Sequence, residues 1–291
     1  MNKCLSAAVG VILLAGIFWF YPDKEQKFTE IVRNKNFQVG VAVLAEDGLK
    51  VSDNDLYPLA SVFKLHVAAA VLNKVEKDKI SLDYELPVKQ RGLIANTHSP
   101  MLDGRGNGDF FLSLKELLRY MLAYSDNNAC DILISFAGGM DYIQAYVKNL
   151  GFDNTILRVT EKEMQDNPEK QKINRATPAD VSRFLALILR EGFFMPAHRS
   201  FVQETLIQTN TGEDKIKRFL PPDVVMGHKT GTGMRTADGM RIAENDAAFV
   251  RLPDGREYYL VILLKNSYED DETNRLAIAE IADAVYQQFK Q

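Results

Sequence analysis

The spacing of apolar positions along this 291-residue chain changes character several times. Residues 5–21 (LSAAVGVILLAGIFWFY) carry no charge, and the apolar run from Ala7 to Phe20 within them is 14 residues long. Residues 37–44 (FQVGVAVL) are β-branched and compact, Glu46-Asp47-Gly48 reads as a turn, and residues 49–51 resume an extended pattern, which predicts a hairpin. Val62, Leu65, Ala69 and Leu72 recur at helical spacing, so a helix is expected to begin near Ser61. Further helices are expected over 113–124, 129–137, 140–150 and 178–191. Between them, residues 156–177 form a polar, aperiodic stretch, and irregular loops of that length within a compact domain usually carry function. The chain then reverts to strands over 247–252 and 258–264, around the turn Pro253-Asp254-Gly255, and closes with an amphipathic helix over 273–289. Strands at both ends with helices between them imply one sheet built by the two termini, with a helical domain inserted.

Composition narrows the class. With 46% apolar and 25% charged residues this is an ordinary globular chain, which excludes disorder, collagen and coiled coil. A net charge of −4 gives no electrostatic footprint for wrapping nucleic acid, so nucleic acid is not an expected partner. The 14-residue apolar run fits a signal-peptide core better than the ~20 residues needed to cross a bilayer, so residues 1–21 read as an export signal, with an uncleaved anchor as the alternative. Export gives a periplasmic or secreted protein with no stable membrane association once the leader is removed. Of the two cysteines, Cys4 lies ahead of the apolar run and Cys130 sits in an apolar helical pattern, so neither a disulfide framework nor a cysteine zinc site is expected. The four histidines lack metal-site spacing, so no metal is expected either.

Chemistry concentrates in three short motifs. Ser61-Val62-Phe63-Lys64 places a hydroxyl and an amine three residues apart on one face of a helix start, where free N–H groups favour negative charge on a bound carbonyl oxygen. That is the layout of an activated serine nucleophile, although about one S-x-x-K arises by chance in a chain this long. A capping serine followed by a solvated lysine explains it equally well on its own. Ser125-Asp126-Asn127 follows between two helical segments, and Lys229-Thr230-Gly231-Thr232 stands just ahead of the final strands. Taken singly they read as a turn with an Asx cap and as a surface lysine entering a strand. Their joint occurrence in this order is not a chance event on average residue usage.

The three motifs together resemble the class A serine β-lactamases and the wider penicillin-binding protein superfamily. The strings SDNNACDIL (125–133) and GHKTGT (227–232) are similar to the branch of the PER and VEB type extended-spectrum enzymes. The resemblance covers nearly the whole chain after the leader. It implies an α+β fold of three α/β/α layers, with an antiparallel sheet and flanking helices formed by residues 22–60 and 205–291. Residues 61–204 would be a mainly helical domain that includes an Ω-type loop at 156–177. It also implies hydrolysis of the β-lactam amide through a serine acyl-enzyme, without cofactor, by a monomer acting on small β-lactam substrates and giving antibiotic resistance.

The roles the resemblance implies fall on named residues. Ser61 would be the nucleophile, with its proton taken by Lys64 or, through a water, by Glu161. Ser125 would protonate the departing ring nitrogen with help from Lys229. Asn127 would bind the substrate acylamide and orient Lys64, while Lys229, Thr230, Gly231 and Thr232 would line the substrate carboxylate and oxyanion sites. Glu161 sits where class A enzymes carry the glutamate that activates the deacylating water, and Met164 completes a Glu-x-x-Met pattern of the branch. Gln165 stands where many members have an asparagine. His98 aligns with an aromatic gate, or is a surface histidine. Lys215 would supply a second carboxylate-binding cation, or is a solvated helix lysine; Arg235 and Arg241 compete for that role. His66 reads as a packed core histidine. The alternatives to a lactamase are a D-Ala-D-Ala peptidase of the same superfamily and a non-catalytic, membrane-anchored β-lactam sensor.

Overall fold

In the computed structural model, which describes residues 28–290, the strand-like segments at the two ends of the chain pair into one five-stranded antiparallel sheet. Strands β1 (Gln38–Ala45) and β2 (Gly48–Val51) form the expected hairpin, and Gly48 at φ 113 supplies the positive φ that its tight turn requires. Strands β8 (Val225–Thr232), β9 (Arg241–Arg251) and β10 (Glu257–Ser267) complete the sheet in the order β2-β1-β10-β9-β8, which leaves β8 on an edge. The leader assigned to residues 1–21 lies outside the described residues. No helix among the described residues is long and apolar enough to cross a membrane.

Seven helices stand between the two halves of the sheet: α1 (Lys64–Asp78), α2 (Leu114–Ala123), α3 (Asn127–Ala137), α4 (Met140–Asn149), α5 (Glu161–Asp166), α6 (Pro178–Leu189) and α7 (Pro196–Ile207). An eighth, α8 (Asp271–Phe289), ends the chain. Period-two alternation along the strands sorts their side chains into two cores. Val41, Val43, Val250, Leu260 and Ile262 face α8, where Ile278, Ile281 and Val285 complete one apolar layer. Ala42, Ala247, Phe249, Val261 and Leu263 face the other way, onto α6 and the remaining helices. The result is three layers, α8, sheet and helical body, as an α+β fold requires. Helix α1 is buried on all sides from Lys64 to Leu72, the pattern of a central helix rather than an amphipathic surface one.

Three regions differ from the pattern-based expectation. Residues 156–177 are not irregular: a capping box between Thr160 and Glu163 starts α5, Asn167 caps a 3-10 turn over Pro168–Lys172, and short strands β6 (Thr155–Ile156) and β7 (Arg175–Ala176) pair at the neck. These elements are held by local side-chain hydrogen bonds, so no apolar periodicity announces them. Lys229 to Thr232 do not precede the final strands but end β8, whose buried positions are polar or glycine and give no strand signal. Helix α7 and the paired strands β4 (Glu85–Val88) and β5 (Phe110–Ser113) have no counterpart among the expected elements.

One side chain ties the sheet to the start of α1. Asn245, fully buried on β9, donates from Nδ2 to the carbonyls of Pro58 and Leu59 (2.8 and 3.0 Å), and its Oδ1 accepts from the Leu264 N–H at 3.1 Å. Asn245→Ala strips partners from these buried groups. It is expected to cost about 2–4 kcal/mol, read as a lower urea midpoint with an unchanged slope.

Candidate active site

Ser61 lies in a 3-10 turn (Ala60–Phe63) that runs directly into α1, with Lys64 as the first α-helical residue. The turn starts at Ala60, whose φ of 43 is unusual for a residue with a side chain. It is held by Asn245 from the sheet and by the Asn174 carbonyl, which accepts the Leu59 N–H at 2.8 Å. Ser61 is half-buried, whereas Lys64 has no exposure. A buried ammonium demands acceptors. Three surround Lys64 Nζ: the Ser125 carbonyl at 2.7 Å, Asn127 Oδ1 at 2.6 Å and Glu161 Oε1 at 2.9 Å. The last contact is an ion pair without hydrogen-bond directionality.

The Ser125-Asp126-Asn127 motif is the joint between α2 and α3. Ser125 takes the left-handed conformation (φ 57), which turns its carbonyl toward Lys64 while its hydroxyl accepts from Lys229 Nζ at 2.9 Å. Asp126 is structural: it caps α3 through the Ala129 N–H and also accepts from Ser99 Oγ and the Met101 N–H. Asn127 then opens the helix, and its Nδ2 donates to Thr97 Oγ1 at 2.8 Å, so both ends of the amide are used to fix it beside Lys64.

Strand β8 closes the opposite wall. The Gly233 N–H reaches the Ala243 carbonyl at 2.8 Å, and the Thr230 carbonyl is turned to Lys229 Nζ at 2.9 Å, which sets the phase of the ladder with β9. Thr230 and Thr232 therefore point their N–H and C=O groups away from β9, off the free edge of the sheet. Gly231 lets this edge approach the serine turn, because a Cβ there would meet the Leu59 carbonyl at 2.6 Å and the Ser61 and Val62 nitrogens at 3.1 Å. Lys229 is fully buried, and desolvation followed by the charges of Lys64 and Lys215 holds its pKa well below the ordinary lysine value.

Glu161 begins α5, and that helix start is fixed from α3. Asp131 Oδ1 and Oδ2 accept the N–H groups of Glu161 and Lys162 at 2.8 and 2.9 Å. Burial pushes the Asp131 carboxyl up to about 6, outweighing the two hydrogen bonds that act the other way. Asn174 closes the neck of the loop, accepting from the Arg158 and Val159 N–H groups and donating to the Val159 carbonyl.

The other residues singled out in the sequence fall as follows. His98 is exposed at the rim, its Nε2 2.8 Å from the Tyr124 carbonyl and its own carbonyl accepting the Asn127 N–H. Lys215 is not a solvated helix lysine: it precedes a 3-10 turn, is 3% exposed, and pairs with Glu244 at 2.6 Å. That partner lies across the sheet on β9, so burial of Lys215 could not be read locally. Gln165 does not face inward alone, since Nε2 donates to the Ala95 carbonyl at 2.8 Å. Arg235 and Arg241 are both tied to Asp271, and Arg241 also donates to the Gly233 carbonyl. His66 stacks on Phe184 (4.2 Å between centroids), and burial lowers its pKa to about 3, so it is a neutral core residue.

Several residues that shape the site carry no motif. Asp131 stands four positions after Asn127, and that i, i+4 spacing on one helix face was a readable signal. Thr97, Asn174, Glu244 and Asn245 act on partners elsewhere in the chain and leave no local pattern. Gln171, whose Oε1 accepts the Met234 N–H at 2.8 Å and latches the 156–177 segment to the end of β8, is of the same kind.

Comparison with known proteins agrees with this geometry. A family model described as the beta-lactamase enzyme family matches residues 23–289. The chain is 41% identical over 267 residues to a β-lactamase of Bacteroides uniformis, covering 91% of this chain and 90% of that one. It is 30% identical over 269 residues to the extended-spectrum β-lactamase PER-1 of Pseudomonas aeruginosa, covering 91% and 87%. A solved class A β-lactamase from Bacteroides cellulosilyticus DSM 14838 matches with a TM-score of 0.88 and 42% identity, over 91% of this chain and 96% of that one. The chain belongs to the β-lactamase enzyme family. Within that family its place is in class A, among the serine enzymes.

The close approach at Gly231 gives a direct test of the architecture. Gly231→Ala must push β8 away from the serine turn by part of an ångström, and misplacement on that scale costs about 10²-fold in rate. We expect kcat/KM for a chromogenic cephalosporin to fall by about that factor while the thermal midpoint moves only a few degrees.

Proposed function

We propose that this enzyme opens β-lactam amides at Ser61 and hydrolyses the resulting ester with Glu161 as the base. Ser61 Oγ attacks the carbonyl carbon, the amide C–N bond breaks, and the ring nitrogen takes a proton from Ser125. Lys64, with three acceptors already around its ammonium, is a donor and an anchor, so the acylation proton is assigned to Glu161 through a water; Glu161 releases that proton to solvent, and Lys229 regains one from solvent, before the carboxylate acts again in deacylation. The carbonyl oxygen is stabilised by the N–H groups of Ser61 and Thr232, the second of which points off the free edge of β8. Lys229 replenishes the Ser125 proton, a role suited to an amine whose acidity is raised by burial and neighbouring lysines. Asn127 holds the acylamide, Lys229 and Thr230 hold the substrate carboxylate, and His98 lies at the rim where a side-chain substituent would pass.

The observation that carries this reading is the braced carboxylate: Glu161 sits 2.9 Å from Lys64 Nζ on a helix start clamped by Asp131. A water held between that carboxylate and the acyl ester separates turnover from mere acylation. The matched relatives are named β-lactamases, which sets aside the peptidase and sensor alternatives. Export, directed by residues 1–21, and action as a monomer with small β-lactams as its partners belong to the same reading. So does a division into an α/β unit (22–60 with 205–291) and a helical unit (61–204) with the cleft at their junction, except that the 204/205 boundary falls inside α7 (Pro196–Ile207) and moves to the end of that helix.

Two outcomes test the deacylation half. Glu161→Gln should lower kcat by about 10³-fold and leave a covalent adduct on Ser61 that intact-protein mass spectrometry detects; undiminished hydrolysis would refute the assignment. The Asp131 carboxyl, raised to about 6, is ionised above that pH and protonated below it. Protonation converts one of its two acceptor oxygens into a donor facing an N–H. Deacylation should therefore slow as pH falls through about 6, and Asp131→Asn should show the slow rate already at pH 7.5, measured as adduct lifetime after rapid quench.

A further inference from the structure

Behind the Lys229-Thr230-Gly231-Thr232 edge lies a second buried charge cluster that the reaction above does not use. Glu244 on β9 is directly opposite Thr232 and has no solvent exposure. Its Oε1 takes Lys215 Nζ at 2.6 Å and the Thr232 hydroxyl at 2.7 Å, and Lys215 Nζ also lies 3.2 Å from Thr232 Oγ1. Arg241 Nε stands 3.8 Å from Oε2, and the Arg241 guanidinium shares Asp271 with Arg235.

The direction of these bonds follows from the groups. An ammonium only donates and a carboxylate only accepts, so Thr232, placed between them, must give its single hydroxyl proton to Glu244 and accept from Lys215. What Thr232 Oγ1 then shows to the cleft is a lone pair, which repels a substrate carboxylate. The Lys215 charge is likewise spent on Glu244. Two of the four groups that sequence resemblance nominated for carboxylate binding are thus held by one buried acid.

We propose that Glu244 is a positioning residue that sets charge specificity. It cancels Lys215 and draws the Thr232 hydroxyl proton to itself, so that neither adds to the hold on the substrate carboxylate, which is left to Lys229 and Thr230. The inference rests on the reading of the cleft as the β-lactam site. Removing the acid leaves a net positive charge within one side-chain length of the bound substrate. At an effective dielectric near 20 such a charge is worth roughly tenfold or more in binding that carboxylate.

The test compares a β-lactam carboxylate with its uncharged methyl ester, in kcat and KM, from about 0.05 to 0.5 M salt. Glu244→Gln should lower KM for the carboxylate about tenfold relative to the ester, and the gain should shrink as salt rises. Lys215→Met, which leaves the acid uncancelled, should shift the same ratio in the opposite direction, so the proposal stays testable if one variant fails to fold. A double variant, Lys215→Met with Glu244→Gln, should return the ratio toward wild type. Equal losses for both substrates with an unchanged salt slope would show Glu244 to be structural only and overturn the proposal. A wild-type enzyme that turned over neither substrate would bring it down with the reading it rests on.

Discussion

Two lysine side chains without solvent exposure, Lys64 and Lys229, flank Ser125, and most of the site follows from burying them together. Taking an ammonium out of water costs several kcal/mol after relaxation, and a like charge nearby adds to that. The protein meets the two costs differently. Lys64 is given a carbonyl, an amide oxygen and a carboxylate. Lys229 is given one carbonyl and one hydroxyl, and the field of its neighbours drives its pKa down instead. Ser125 serves both lysines, its carbonyl toward one and its hydroxyl toward the other. Only a left-handed backbone does this between two helices, so the strain at φ 57 is a consequence of the double burial.

The convergence is made from the ends of elements. The serine turn precedes α1, Ser125 and Asn127 stand where α3 begins, Glu161 begins α5, and Thr232 ends an edge strand. Ends are where backbone N–H and C=O groups are left unbonded, and here those groups become the polar lining of the cleft. An edge strand is ordinarily a liability because its free N–H row invites pairing with another chain. In β8 the His228 carbonyl on that edge is taken by Thr209 Oγ1 and the Thr230 carbonyl by Lys229 Nζ, while the serine turn packs against Gly231. Buried side-chain ties, notably Asn245 to the turn and Asn174 to the loop neck, give these fraying ends the rigidity of element centres.

What could be read from the sequence divides along this line. Helix α1 and strand β10 are announced by apolar spacing because burial itself sets the period, and the sheet built from both chain ends follows from them. The three motifs were legible because reactive groups must share one face or one turn, a local demand. Strand β8 was not, since Lys229 and Thr230 are buried for chemistry rather than apolarity. Helix α5 was readable in principle from Thr160 and Glu163, a capping box hidden within polar residues. The burial of Lys215 was not legible because its partner, Glu244, comes near only after β9 has folded against β8. Long-range pairing of this kind leaves no trace in the spacing of a single sequence.

The two buried glutamates show how one chemical group is given opposite behaviours. Glu161 and Glu244 each lie against one lysine, at 2.9 and 2.6 Å. Glu244 lies within β9, its Oε1 shared by an ammonium and a hydroxyl while Oε2 has no hydrogen-bond partner, so the lone pairs of Oε1 are committed. Glu161 is held by its backbone, through Asp131, and its Oε1 receives no directed hydrogen bond. A carboxylate anchored by its main chain keeps its oxygens available to take a proton, whereas one anchored by its oxygens serves as fixed countercharge. The arrangement separates proton transfer from charge balance within one cleft, with the same residue type doing both.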